Sequence, residues 1–234
     1  MKLLANFTLC AFVIFIGCSC SQGDTIPYYD LGSPKQINYL ALGDSYTIGQ
    51  SVCTTCRFPE QLKASLQATY PDNPFLLQVI AKTGWTTTSL LSEVNLVNPS
   101  SNFDLVTLLI GVNNQYQNRP IAIYQAEFPQ LVTKAIAFAK GDKKNVIVVS
   151  IPDYAFTPFG QGAANITTAI DQYNAIAKNY CDENGITFVN ITDITRSGLV
   201  RPELVASDGL HPSELAYAKF VDRILPKALL SLGD

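Results

Sequence analysis

Five short apolar runs, each followed by a stretch with helical spacing, constrain this chain more than any other feature. Residues 37–42, 75–80, 105–110, 146–151 and 186–189 are mostly Leu, Ile, Val and other apolar types. Runs without strict apolar/polar alternation belong to strands buried on both faces. The stretches after them, at about 59–70, 87–97, 121–140, 165–183 and 213–230, place apolar residues three and four apart, as in Leu62, Leu66 and Tyr70. That spacing predicts helices. Five strand-helix units with doubly buried strands imply a three-layer α/β/α sandwich around a five-stranded parallel sheet. The length of 234 residues suits one domain, and 47% hydrophobic residues can fill its core. Pro129 falls inside the third helical stretch and predicts a kink or a split there.

The chain begins differently. Met1 and Lys2 precede an apolar stretch over 3–17 that contains Asn6 and Thr8. It is shorter than the roughly 20 apolar residues of a membrane-spanning helix, so residues 1–17 read as a secretory signal peptide. Gly17 directly before Cys18 resembles the bacterial lipoprotein signal, although Phe15 stands where Leu is commoner. The resemblance implies cleavage before Cys18, its lipidation, and an exported protein anchored to a membrane of the bacterial cell envelope. Residues 18–35, with Ser, Gly, Pro and Asp and no sustained period, read as a tether, and 36–234 as the folded domain.

Charge narrows the possible partners. Sixteen basic and 19 acidic side chains give a net charge of −3, and the basic ones are scattered, so there is no footprint for nucleic acid. His211 is the single histidine. A multi-histidine metal site is therefore excluded, and histidine-dependent chemistry has one candidate. No cofactor is implied.

In open parallel sheets the ligand crevice lies at the carboxyl ends of the strands. Four polar segments fall there: Gly43-Asp44-Ser45 after the first strand, Gly84 after the second, Gly111-Val112-Asn113-Asn114 after the third, and Asp208-Gly209-Leu210-His211 before the last helix. Each has a plainer reading. Ser45 could cap a helix, the glycines could serve turns with positive φ, Asn113 could form a turn, and His211 could simply precede a helix. Together they make a chemical set. A serine hydroxyl needs a base to accept its proton during attack. His211 is the sole imidazole, and Asp208, three residues earlier, can fix its tautomer.

These blocks resemble the SGNH, or GDSL-type, hydrolase family over about residues 37–231. The resemblance implies a flavodoxin-like fold and a serine esterase. In it Ser45 is the nucleophile and Asp208 and His211 complete the triad. The Ser45 and Gly84 N–H groups and the Asn113 amide form the oxyanion hole. The third block is commonly G-x-N-D in the family, and here Asn114 replaces the acid. The implied substrate is a small-molecule or glycan ester with a short acyl or acetyl group, since no lid-sized insertion is evident. A non-catalytic envelope binding lipoprotein on the same fold is the alternative.

Cys53-Thr54-Thr55-Cys56 has the spacing of a redox motif, which keeps a thiol-disulfide oxidoreductase open. In an exported protein it reads rather as a local disulfide. A zinc site from Cys53, Cys56, Cys181 and His211 is formally possible but would consume the only base. Trp85, Tyr46, Tyr154 and Phe156 could line a pocket or simply pack.

Overall fold

The computed structural model describes residues 34–233. Residues 1–33, which include the expected signal peptide, most of the tether and Cys18, lie outside the described residues. Near the start of the described residues the Lys35 carbonyl accepts the Asn73 amide at 2.9 Å. Among the described residues no helix is long and apolar enough to cross a membrane.

The strands are β1 (Ile37–Gly43), β2 (Phe75–Ala81), β3 (Leu105–Leu109), β4 (Val146–Val149) and β5 (Thr187–Val189). They form one sheet in the order β2-β1-β3-β4-β5, and every pairing is parallel. β3 and β4 are buried along their whole length, as doubly covered strands must be, while the edge strand β2 leaves Leu76 exposed.

The helices are α1 (Ser45–Ile48), α2 (Phe58–Thr69), α3 (Thr87–Val97), α4 (Val112–Tyr116), α5 (Ile121–Phe138), α6 (Ala164–Asn184), α7 (Thr192–Thr195) and α8 (Glu214–Leu232). α2 packs on α8, and α3, α5 and α6 pack in a row. Right-handed crossovers place these two groups on opposite faces of the sheet. Leu62 and Leu66 of α2 and Phe220 and Ile224 of α8 are fully buried between the layers. Deleting one such side chain to alanine costs about 2 to 5 kcal/mol.

Three local features depart from the sequence pattern. α5 runs unbroken through Pro129. Proline removes one N–H and deprives Gln125, four residues back, of its partner. Gln125 is exposed, and the buried Tyr124, Phe128, Leu131 and Val132 hold both halves of the helix on the core. β4 ends at Val149 rather than 151: Ser150 N–H still pairs with the Val189 carbonyl at 2.9 Å, but the Ile151 N–H donates to the side chain of Asn174, at Oδ1, at 2.8 Å. The short helices α1, α4 and α7 have too few residues to show a period.

Because β2 lies on one side of β1 and β3 on the other, the connections diverge between β1 and β3. The crevice of a parallel sheet opens at that point. Ser45 follows β1 and Asn113 follows β3.

Candidate active site

The strand-to-helix turn after β1 is tight. A Cβ on Gly43 would lie 2.1 Å from Thr47 Oγ1 and 2.4 Å from the Leu109 carbonyl, so only glycine fits against β3. Asp44 then caps α1 by accepting the Tyr46 N–H at 3.0 Å. Its carboxyl is fully buried, and burial pushes it up to about 7. Ser45 is the first residue of α1, so its N–H has no helical carbonyl to bond.

The His211 segment is an antiparallel turn closed by the Val205–Pro212 bridge and by Ala206 N–H to the His211 carbonyl at 2.7 Å. Within it Asp208 Oδ1 accepts the N–H groups of Leu210 and His211, at 2.9 and 3.0 Å. Its Oδ2 accepts His211 Nδ1 at 2.6 Å. A carboxylate can only accept, so Nδ1 carries a proton, and in the neutral form of the ring the lone pair is therefore on Nε2. Partial burial disfavours charge on Asp208, but bonds from the Ser51 hydroxyl, the His211 ring and the two N–H groups outweigh it. They hold the carboxyl well below the usual range.

Gly84 adopts φ +82° with open space where a Cβ would point, so conformation rather than room calls for glycine. Gln117 Nε2 donates to the Gly84 carbonyl at 2.8 Å and fixes that peptide. Asn113, at the start of α4, donates one amide hydrogen to the Trp85 carbonyl at 3.1 Å. Its neighbour Asn114 is fully buried and turns away. Asn114 Oδ1 accepts Thr87 N–H at 2.9 Å and its Nδ2 donates to Thr87 Oγ1 at 2.7 Å, binding α4 to the first turn of α3.

Ser45, Gly84, Asn113 and His211 line one cavity of about 190 Å³, walled by Tyr46, Val112, Tyr116, Tyr154 and Leu210. The hydroxyl and the imidazole face that cavity with no hydrogen bond between them; such contacts are often long before substrate arrives. A serine hydroxyl, an imidazole, a glycine N–H and an asparagine amide thus border one space, and the Asp208 carboxylate is bonded to the imidazole. That arrangement can perform acyl transfer.

Tyr46 and Tyr154 belong to the wall, whereas Phe156 and Trp85 do not line the cavity; the Trp85 carbonyl accepts the Asn113 amide. Cys53 and Cys56 are joined by a disulfide. Cys181 is buried in α6, with its thiol pushed up to about 12 by burial. The formal zinc set is therefore not assembled, and among the described residues no group of His, Cys, Asp or Glu could hold a metal. Asp153, at the same rim, is fully buried and pairs with Arg196 Nε at 3.0 Å.

Two participants carried no sequence signal. Gln117 and Ser51 lie outside every motif, and Ser51 is 157 residues from the Asp208 it touches at 2.6 Å.

A family model described as GDSL-like lipase/acylhydrolase matches residues 41–219. No curated protein sequence matches. Among solved structures, an acetylxylan esterase from Geobacillus stearothermophilus is 20% identical at a TM-score of 0.62, covering 86% of this chain and 96% of that one. A lipase from a goat rumen metagenome is 19% identical at 0.66, covering 82% and 97%. A member of the lipolytic G-D-S-L family from Veillonella parvula is 18% identical at 0.62, covering 83% and 97%. These structures share the fold of this chain.

Proposed function

The chain belongs to the GDSL-like lipase/acylhydrolase family, and from that premise we propose that it is a serine esterase acting on short-chain acyl esters. The observation that carries the reading is the convergence of Ser45 and His211 on one small cavity beside Gly84 and Asn113, with Asp208 bonded to the His211 ring. His211 Nε2 takes the Ser45 proton as Oγ attacks the ester carbonyl. The new oxyanion is stabilised by the N–H groups of Ser45 and Gly84 and by the second amide hydrogen of Asn113. His211 returns the proton to the departing alcohol, leaving an acyl-serine. Water, activated by the same imidazole, then attacks the acyl carbon and releases the acid and free Ser45.

The cavity of about 190 Å³ is below the roughly 300 to 1,000 Å³ of pockets that enclose drug-sized ligands. It suits acetyl or similarly short acyl groups, with the alcohol lying towards the exposed Tyr116 and Phe159. The acetylxylan esterase among the structural neighbours supports a glycan ester as one substrate class. The leader at 1–17 and Cys18 support placement on the bacterial envelope as a lipid-anchored protein.

Covalent labelling with a serine-directed fluorophosphonate tests the mechanism. Wild type is expected to label and Ser45→Ala to remain unlabelled. Equal labelling of both, or none of a folded wild type that also leaves p-nitrophenyl acetate intact, would refute it in favour of a binding protein.

A further inference from the structure

We propose that Ser51 is a positioning residue for the triad, and that the Cys53–Cys56 disulfide serves the same purpose by holding the loop that presents it. The proposal deepens, and rests on, the esterase reading above.

Ser51 Oγ donates to Asp208 Oδ2 at 2.6 Å, and that same oxygen accepts His211 Nδ1 at 2.6 Å. One carboxylate oxygen is thereby fixed from two sides. Asp208 sits on an exposed turn with a side chain 29% accessible, so without Ser51 its position depends on its own loop alone.

Ser51 adopts φ +67°, a conformation that an L-residue other than Asn or Asp seldom takes. Glycine would fit that backbone better, but glycine has no hydroxyl to give. The loop around Ser51 is held at several points. Val52 N–H bonds the Gly49 carbonyl, the Arg57 side chain reaches the Ile48 carbonyl, and the disulfide closes the chain two residues beyond Ser51. Gln61 Nε2 then ties the Cys56 carbonyl to that of Glu214, at the start of the helix that follows His211. The C-x-x-C segment therefore lies next to the triad without entering the cavity. The hydrogen bond from Ser51 heads the influences that lower the Asp208 carboxyl.

The test uses Ser51→Gly, which deletes the hydroxyl while relaxing the backbone. His211, the only histidine, supplies a readout independent of turnover: its ring resonances can be titrated by NMR. The other titratable groups facing the pair, Asp44, Tyr46, Tyr154 and Tyr217, are unchanged in the variant. Ser51→Gly is expected to keep or raise Tm and to lower kcat on p-nitrophenyl acetate about 10-fold, the scale of one hydrogen bond to a charged group. KM should stay within twofold. The His211 titration is expected to move to higher pH, because Oδ2 no longer shares its charge with Ser51. Cys53→Ser/Cys56→Ser is expected to show the same changes in weaker form. A Ser51→Gly enzyme with wild-type kcat and a superimposable His211 titration would overturn the proposal, as would a kcat loss matched by unfolding. If Ser45→Ala hydrolysed ester like wild type, the esterase reading would fall, while the NMR titration would still decide the role of Ser51.

Discussion

Asn113 and Asn114 are chemically identical neighbours, and the structure assigns them opposite consequences. Asn113→Ala removes an amide that faces the cavity. Losing one oxyanion donor lowers kcat by roughly 10² to 10³, with KM little changed. The Trp85 carbonyl that Asn113 caps belongs to a residue that is only partly buried, so the loss of that one bond should change stability by about 1 kcal/mol or less. Asn114→Ala removes two buried hydrogen bonds. Thr87 N–H, in the first turn of α3, is left with no acceptor in a fully buried position, at ~1 to 3 kcal/mol. Thr87 Oγ1 retains Glu127 as its acceptor, which limits the second loss. The sum is roughly 2 to 4 kcal/mol, or about 5 to 15 °C in Tm for a domain of this size. Steady-state kinetics on p-nitrophenyl acetate and calorimetric unfolding of both variants separate the two effects. Asn113→Ala should be stable and slow, Asn114→Ala unstable and, well below its Tm, nearly as fast as wild type. Equal kinetic losses at both positions, or a fully active Asn113→Ala, would refute the assignment.

Asp208→Asn should lower kcat by about 10⁴ while leaving the fold intact, because an amide can hold the wrong imidazole tautomer; kinetics and circular dichroism check it. Asp44 titrates in the fold at about 7 instead of an ordinary 3.8. Its contribution to stability is thus full below pH ~4 and is lost as pH rises to about 7, on the order of 4 kcal/mol. Urea unfolding from pH 4.5 to 8 should show that decline in wild type and a flatter profile in Asp44→Asn; parallel profiles would count against it. Arg196→Ala strands the buried Asp153 carboxylate, which also accepts the Ala155 N–H. Arg196 is 32% exposed, which screens the pair, so a loss of about 2 kcal/mol is expected in denaturant unfolding. Mass spectrometry of the mature protein purified from bacterial cells should find a lipidated Cys18 at the N-terminus, and an unmodified N-terminus beyond it would refute the proposed anchor.

The five strand-helix units were legible because period and burial are local properties of a sequence: the expected helix at 87–97 is α3 as observed. The candidate site was legible for a different reason. With one histidine in the chain, an imidazole partner for Ser45 had a single candidate, and Asp208 lay three residues from it. Tertiary structure decided which neighbours turn inward. Asn113 and Asn114 share a type and a turn, and only the placement of α4 beside Thr87 at the start of α3 turns Asn114 to Thr87 while Asn113 lines the cavity. Pro129 predicts a break by its own chemistry, yet apolar burial on both sides keeps α5 whole. Ser51 meets Asp208 across 157 residues because the loops after β1 and before α8 close on each other. Such a contact depends on the relative placement of two distant backbones, which leaves no period, spacing or composition for a sequence to display.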